Sequence, residues 1–448
     1  MKKVITYGTF DLFHEGHYRL LERAKALGDY LIVGVTTENY DKSRGKLNVV
    51  DSLVTRIENV RKTGFADEII IEEVYGQKVN DIQKYNVDIF AIGSDWRGAF
   101  DYLKDYCQVV YLERTKNVSS TMLRQQKRQI QCIGIIGTGR IAHRFLQEAR
   151  LVSGVSIQGV YNPHENSAKK FADEYEINAY VDKDEFYHAV DLVYIAAPHQ
   201  FHYEYAREAL LHYKHVLCEK PLTLSEHKAV ELYFLAEEKK LILMEGIKTA
   251  YCPGFQKLLG VARSGKIGTI CNVEACFTKL ESPVKRELVD TDYGGSFFEL
   301  GSYCLLPVLK IMGLDYKKIE FDSVIDNKGI DLFTKASLTY DHGVATLTCG
   351  LGVKSEGRLL ISGTKGYIVV EAPWWKTTYF EVHYEDPNIV EKYTDTFLGD
   401  GLRYEINDFL SRLDYRGRGE FKLTRDESIA MAAVMEAFRN KRNEGKNS

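Results

Sequence analysis

Short apolar runs alternate with amphipathic stretches over residues 1–127. Val4–Tyr7, Tyr30–Val35, Glu68–Ile71, Ile89–Gly93 and Val109–Leu112 are β-branched or aromatic runs of strand length. Between them apolar positions recur with helical spacing, as in His17–Leu27, which stops at Gly28, a residue suited to a helix C-terminus. This alternation predicts a parallel sheet with helices on both faces. A polar, basic stretch from Arg124 to Gln131 interrupts it, and the linker is placed at 128–131. The pattern restarts at Cys132–Ile136 and continues through Val155–Tyr161, Leu192–Ala196, His215–Cys218 and Leu241–Met244, predicting a second α/β domain over 132–248.

From residue 249 the texture changes. Longer alternating segments appear at Thr269–Lys279, Lys335–Tyr340, Val344–Leu351, Arg358–Ile361 and Tyr367–Val370. Asp341-His342-Gly343 and Gly363-Thr364-Lys365-Gly366 join them as hairpin signals, so residues 249–448 are expected to hold an open antiparallel sheet with helices. The last helix opens with a capping box, Thr424-x-x-Glu427, and Asn443–Ser448 is expected to fray. The fold class is therefore α/β: two sheet-and-helix domains followed by an α+β domain.

Composition narrows the class. The chain has 448 residues, 45% of them hydrophobic and 27% charged, enough for several buried cores. A net charge of −4 gives no basic footprint for nucleic acid. No apolar run reaches the roughly 20 residues of a membrane span, and the N-terminus lacks the pattern of a secretion signal. Eight cysteines without C-x-x-C spacing read as reduced thiols in a cytoplasmic protein with no structural metal site.

Two glycine loops carry the candidate chemistry. The first is Tyr7-Gly8-Thr9-Phe10-Asp11 followed by His14-Glu15-Gly16-His17, between a strand and a helix. A helix N-terminus favours an anion, and two imidazoles three residues apart reach adjacent phosphate oxygens. Gly8 and Thr9 complete a phosphate cradle around His14 and His17. The second is Gly137-Thr138-Gly139-Arg140-Ile141-Ala142, again between strand and helix. Its first glycine permits the turn, its second lets backbone approach a pyrophosphate, and Ala142 packs helix on strand. Asn162 stands where an acid would hold an NAD ribose, which leaves NAD and NADP both open.

Residues 1–127 resemble bacterial glycerol-3-phosphate cytidylyltransferases of the HxGH nucleotidyltransferase superfamily. The likeness rests on Val4–Asp11, His14–His17, Leu20–Lys25, Gly93-Ser94-Asp95-Trp96 and Arg114–Thr121, the last departing from the family signature at Asn117 and Ser120. The resemblance implies a Rossmann-like domain that transfers a cytidylyl group from CTP, with Mg²⁺, to a polyol phosphate. It implies nucleotide contacts from Gly8, Thr9, Phe10, His14, His17, Asp95, Arg114, Thr115, Ser119 and Thr121. Lys46 and Arg56 fall where the family binds substrate phosphate, while another family arginine is replaced by Gly64. H-x-G-H also serves adenylyl transfer, so ATP is the alternative nucleotide.

Residues 131–448 resemble the Gfo/Idh/MocA oxidoreductases through the glycine loop, Glu219-Lys220-Pro221, Met244-Glu245-Gly246 and Gly294–Tyr303. Glu299 and Tyr303 replace the Asp and His found in many members. The resemblance implies cofactor contacts from Gly137, Gly139, Arg140, Ile141, Ala142, Asn162, Pro198, His199, Glu219 and Lys220. Lys220 is expected to orient and polarise, and Tyr303 to serve as acid and base with its pKa lowered by the lysine cation. Together the halves imply a bifunctional, dimeric or larger enzyme that reduces a small carbonyl precursor and activates the polyol phosphate for a teichoic acid or capsule. The alternative is a cytidylyltransferase whose C-terminal half only senses nucleotide or oligomerises.

Overall fold

The computed structural model describes residues 1–37, 40, 49, 51–74, 76–113, 131–152, 155–415 and 422–446. Two compact units divide the chain, one built on residues 1–127 with 256–264 and the other on most of the remainder.

In the first unit, β1 (Lys3–Gly8), β2 (Tyr30–Thr36), β3 (Glu68–Glu72), β4 (Ile89–Gly93) and β5 (Gln108–Leu112) form one sheet in the order β3-β2-β1-β4-β5. Every pairing is parallel. Alternate residues feed two separate cores: Val4, Leu31 and Val33 face one, Ile5, Tyr7 and Ile32 the other. A parallel sheet buried on both faces needs such continuous apolar runs, and each enclosed side chain stabilises by about 1.5–3 kcal/mol.

The second unit repeats the architecture with β6 (Gln131–Ile136), β7 (Val155–Tyr161), β8 (Asn178–Tyr180), β9 (Leu192–Ile195), β10 (His215–Glu219) and β11 (Leu243–Gly246). Their order is β11-β10-β9-β6-β7-β8, all parallel. The strand expected to start at Leu241 starts two residues later. Lys240 adopts a left-handed φ of 57°, and Leu241 N–H bonds Ala236 O at 2.8 Å to close the preceding helix.

An eight-stranded sheet follows: β12 (Ile270–Thr278), β13 (Lys318–Ile325), β14 (Asp331–Tyr340), β15 (Gly343–Gly350), β16 (Leu359–Gly363), β17 (Gly366–Val370), β18 (Tyr379–Tyr384) and β19 (Val390–Thr394). Its order is β13-β14-β15-β12-β16-β17-β18-β19. It is antiparallel as expected except where β12 lies parallel to β15, because helix Ser296–Met312 and the β13–β14 hairpin intervene in sequence. Both expected hairpins form, pairing Tyr340 with Gly343 and Gly363 with Gly366.

The capping box closes reciprocally, Glu427 N–H on Thr424 Oγ1 at 3.2 Å and Thr424 N–H on Glu427 Oε2 at 2.8 Å. Helix Arg425–Lys446 continues through Asn443, so the tail expected to fray is helical as far as Lys446. No helix among the described residues is long and apolar enough to cross a membrane.

Glu245 ties this unit together from the end of β11. One carboxylate oxygen accepts Leu222 N–H at 2.9 Å and the other the hydroxyl of Ser428. Burial, reinforced by Glu219, pushes its pKa up to about 7. The folded chain therefore holds a proton that the unfolded chain releases near pH 4.5, and stability must fall as pH rises through that interval. Glu245→Gln keeps both contacts without the titration. Its melting temperature is expected to fall less than that of the unaltered protein between pH 5 and 7.5; parallel slopes would contradict the assignment.

Candidate active sites

Both parallel sheets open a crevice at the carboxyl edge where strand order reverses. In the first unit the reversal lies between β1 and β4, which pair directly. The H-x-G-H segment leaves β1 and enters helix Glu15–Lys25, while Asp95 sits in a 3-10 turn, Ser94–Trp96, that leaves β4.

The loop between β1 and its helix is held in an unusual shape. Phe10 and Leu12, neither a glycine, take left-handed φ values of 53° and 49°. Asp51 and Asp11 fix it reciprocally: Leu12 N–H donates to Asp51 and Asp51 N–H to Asp11, each at 2.8 Å. Burial, then the charge of Asp11, pushes the Asp51 pKa up to about 6. Arg56 is fully enclosed and donates to the carbonyls of Thr9, Thr36 and Asp51 at 2.9, 2.7 and 3.0 Å. Sequence placed Arg56 at the substrate phosphate; these three contacts brace the loop backbone.

His14 caps the helix, its Nδ1 accepting Gly16 N–H at 3.0 Å. That contact leaves the proton of the neutral ring on Nε2, and burial lowers the pKa against the opposing pull of Asp11. His17 stacks on His14 with centroids 3.9 Å apart and is flanked by Phe10 and Phe13, each at 5.5 Å. The two imidazoles are thus fixed at a helix N-terminus. Thr9 is buried, and the Phe10 ring lies over Gly8, 3.0 Å from where a Cβ would stand. Lys46, Arg114, Thr115, Ser119 and Thr121 lie outside the described residues.

In the second unit the reversal lies between β6 and β9. Gly137 takes a φ of 103°, and a Cβ there would stand 2.7 Å from Ala196 O. Gly139 caps helix Arg140–Ala149, and a Cβ on it would meet nothing within 4 Å. Close packing beneath and open space above are what a dinucleotide pyrophosphate needs, so these residues fit the cofactor. Ala142 is fully buried, as expected of the helix-packing residue, and Arg140 and Ile141 begin the helix. Asn162 closes the turn by donating to Thr138 Oγ1 at 2.9 Å. Glu148, at the far end of this helix, receives a two-pronged contact from Arg403 at 2.7 and 2.8 Å, fastening it to helix Leu402–Tyr415.

Pro198 and His199 follow β9, and Lys220 follows β10. His202 has its ring nitrogens 2.8 and 2.7 Å from the carbonyls of Pro221 and Ala197, joining the two turns. Lys220 donates to the Glu299 carbonyl at 2.9 Å and lies 3.4 Å from its carboxylate. Its Nζ stands 5.6 Å from the Tyr303 ring centroid, one helical turn after Glu299. His199 Nε2 approaches the same carboxylate at 3.5 Å. Burial opposes ionisation of Glu299, yet Lys220, then His199 and Arg286, hold it well below the usual carboxylate range.

One expectation is overturned here. The lysine was to lower the Tyr303 pKa, but burial, then Glu219, Glu299 and Glu405, raises it well above the ordinary phenol value. Three carboxyls outweigh one ammonium that faces the ring. Tyr303 keeps its proton and is built as a donor.

The helix carrying Glu299 and Tyr303 is set by Asp331, a residue sequence analysis passed over. Its carboxylate accepts Phe297 N–H at 2.8 Å, its carbonyl accepts the Ser296 hydroxyl at 2.9 Å, and burial pushes its pKa up to about 6. Glu219 accepts the Tyr194 hydroxyl at 2.6 Å. Glu405, also unforeseen, is wholly buried with no hydrogen-bond partner for either oxygen among the described residues. A single Glu in an amphipathic helix carries no sequence signal for such a role. No group of three potential metal ligands occurs among the described residues.

These geometries define a nucleotidyltransferase and an oxidoreductase in one chain. Residues 5–126 match the family described as cytidylyltransferase-like, 132–247 the NAD-binding Rossmann fold of the Gfo/Idh/MocA oxidoreductases, and 255–369 the C-terminal domain of that family. The chain belongs to the glycerol-3-phosphate cytidylyltransferases through its N-terminal segment and to the Gfo/Idh/MocA oxidoreductases through the rest. The glycerol-3-phosphate cytidylyltransferase of Bacillus spizizenii is 50% identical over 125 residues, 28% of this chain and 96% of that one. A scyllo-inositol 2-dehydrogenase (NADP(+)) of Bacillus subtilis is 27% identical over 316 residues, 68% of this chain and 95% of that one. A UDP-N-acetylglucosamine 3-dehydrogenase from Acidithiobacillus ferrooxidans shares the fold, with a TM-score of 0.59 and 22% identity over 69% of this chain and 96% of that one.

Substitutions at two positions test the assignments. His14→Ala should lower the nucleotidyl-transfer kcat by about 10²–10³-fold, the usual cost of losing one fixed donor to a developing anion. His14→Gln, which keeps an N–H near the place of Nε2, should retain more; equal losses would contradict the tautomer. Tyr303→Phe should lower the oxidoreductase kcat by about 10²–10⁴-fold with KM little changed, and an unaltered kcat would remove Tyr303 from the proton path.

Proposed function

We propose that the chain is a bifunctional, cytoplasmic enzyme that makes a CDP-activated polyol. The N-terminal segment joins CTP to a polyol phosphate, glycerol 3-phosphate or a similar one. An oxygen of the polyol phosphate attacks the α-phosphorus, the bond to the β-phosphate oxygen breaks, and pyrophosphate leaves. His14 and His17 stabilise the charge that develops, and Mg²⁺ travels with the triphosphate. Gly8, Thr9, Phe10, Asp95, Arg114, Thr115, Ser119 and Thr121 line the nucleotide, with Lys46 beside the substrate phosphate. The 50% identity to a glycerol-3-phosphate cytidylyltransferase supports this part.

The C-terminal segment reduces the carbonyl precursor of that polyol phosphate. NADH or NADPH, when bound along Gly137–Ala142, Asn162, Pro198, His199 and Glu219, supplies the hydride. Lys220 orients the carbonyl oxygen, and Tyr303 gives it a proton as the alcohol forms. The observation that carries the direction is the Tyr303 phenol, kept protonated by burial first and then by the charge of neighbouring carboxyls. A proton donor at the oxygen serves reduction, whereas oxidation starts from a base.

The test is pyrophosphate release from CTP and Mg²⁺ with polyol phosphates, and with their ketone or aldehyde phosphates plus NADH or NADPH. Turnover from a precursor only when reduced cofactor is present is the expected result. Turnover from the polyol phosphate but from no precursor would remove the coupling.

A further inference from the structure

The loop that enters the Glu299 helix carries an arginine with a buried donor, Nη1, that no described residue accepts. Lys279 and Glu281 fasten the loop's start by backbone bonds of 2.8 and 3.0 Å to Gly350 and Leu351. Gly295 N–H fastens its end to Glu287 O at 2.7 Å. Between them a 3-10 turn, Arg286–Leu288, holds Arg286 in a fixed backbone.

Arg286 Nη1 is buried and has no hydrogen-bond partner among the described residues, and its nearest carboxylate, Glu287, is 4.0 Å from Nη2. A buried guanidinium donor left unmade costs free energy, so a ligand that supplies the acceptor gains the difference. Its charge reaches both His199 and Glu299, which places it at the Lys220 cluster. His199 is itself 8% exposed, and its Nδ1 likewise lacks a partner, as does Gln200 Oε1. With His199 neutral and Nε2 turned to Glu299, Nδ1 is an acceptor. The cluster thus offers a cationic donor besides Lys220 and the His199 Nδ1 acceptor, the complement of a molecule carrying an oxyanion and a hydroxyl.

We infer that Arg286 is the specificity residue of the reductase site, binding an oxyanion of the carbonyl substrate, a phosphate ester before a carboxylate. This rests on the reduction proposed above and deepens it. Arg forms paired hydrogen bonds with phosphate, and a neutral triose or sugar leaves Nη1 as it stands. The selected substrate is then already phosphorylated when it is reduced, so phosphorylation precedes reduction, and the product is directly a substrate for cytidylyl transfer.

The experiment compares dihydroxyacetone phosphate, ribulose 5-phosphate, their unphosphorylated ketoses and a hydroxy-keto acid as substrates of the full chain. NAD(P)H consumption is measured for the unaltered protein, Arg286→Met and Arg286→Lys. The unaltered protein should prefer the phosphorylated ketoses. Arg286→Met should reduce that preference by about 10- to 100-fold, mainly through KM, with Arg286→Lys between, as for loss of hydrogen bonds to a charged group. A preference for the keto acid would assign the oxyanion to a carboxylate and overturn the phosphate. A phosphate preference that Arg286→Met retains overturns the inference while the reduction stands.

Inorganic phosphate is the independent probe. Calorimetric titration of the full chain should show one more phosphate site in the unaltered protein than in Arg286→Met. If no carbonyl is reduced, that difference keeps the subsite and removes the reduction; identical titrations remove the subsite.

Discussion

A parallel sheet has one edge at which strands end, helices begin and backbone amides stand free, and both candidate sites of this chain are built on that edge. In each unit the crevice opens where strand order reverses, between β1 and β4 and between β6 and β9. The constraint explains why the chemistry lies in short segments just after strands: the H-x-G-H after β1, the glycine loop after β6, His199 after β9 and Lys220 after β10. Moving any of these along its strand would turn the side chain into a core or strip it of the helix N-terminus.

Electrostatics then divide the labour. In the first unit Asp11 and Asp51 fix the loop backbone, Arg56 braces its carbonyls, and His14 and His17 stack at the helix N-terminus. The second unit sets Lys220 beside an ionised Glu299, while burial raises the pKa of the enclosed Glu405. Opposite shifts within one cluster are how a site separates a charge-holding group from a proton-holding group. The Glu299 carboxylate stays charged because Lys220 is beside it; Tyr303 stays protonated because it is buried, with carboxyls around it.

Both parallel sheets were legible in the sequence because buried parallel strands must be short, continuous apolar runs. The glycine loops and the H-x-G-H segment were legible for a different reason: few residue types satisfy a tight strand-to-helix turn that must also admit an anion. Strands β8, β13, β18 and β19 escaped. Six of the eight β13 residues are exposed at a sheet edge and need no apolar alternation, and β19 reads as charged and aromatic residues without period. At the sites, sequence named the residues proposed to touch ligand and passed over those that set their positions. Asp331 and Glu405 act through burial and neighbours far away in the chain, and the unpaired Nη1 of Arg286 likewise comes from the fold, which spacing does not encode. The Tyr303 reading failed for the same cause, since a motif shows the nearby lysine but not the carboxyls folded around it.

The central claim is that hydride delivered at the second site ends up in the nucleotide product of the first. The measurement is mass spectrometry of the CDP-polyol formed by the full chain from CTP, a ketose phosphate and nicotinamide cofactor carrying deuterium at the transferable position. The account predicts a product heavier by one deuterium, with the label on the carbon that was the carbonyl. A CDP-polyol that forms only from preformed polyol phosphate and carries no label would contradict it.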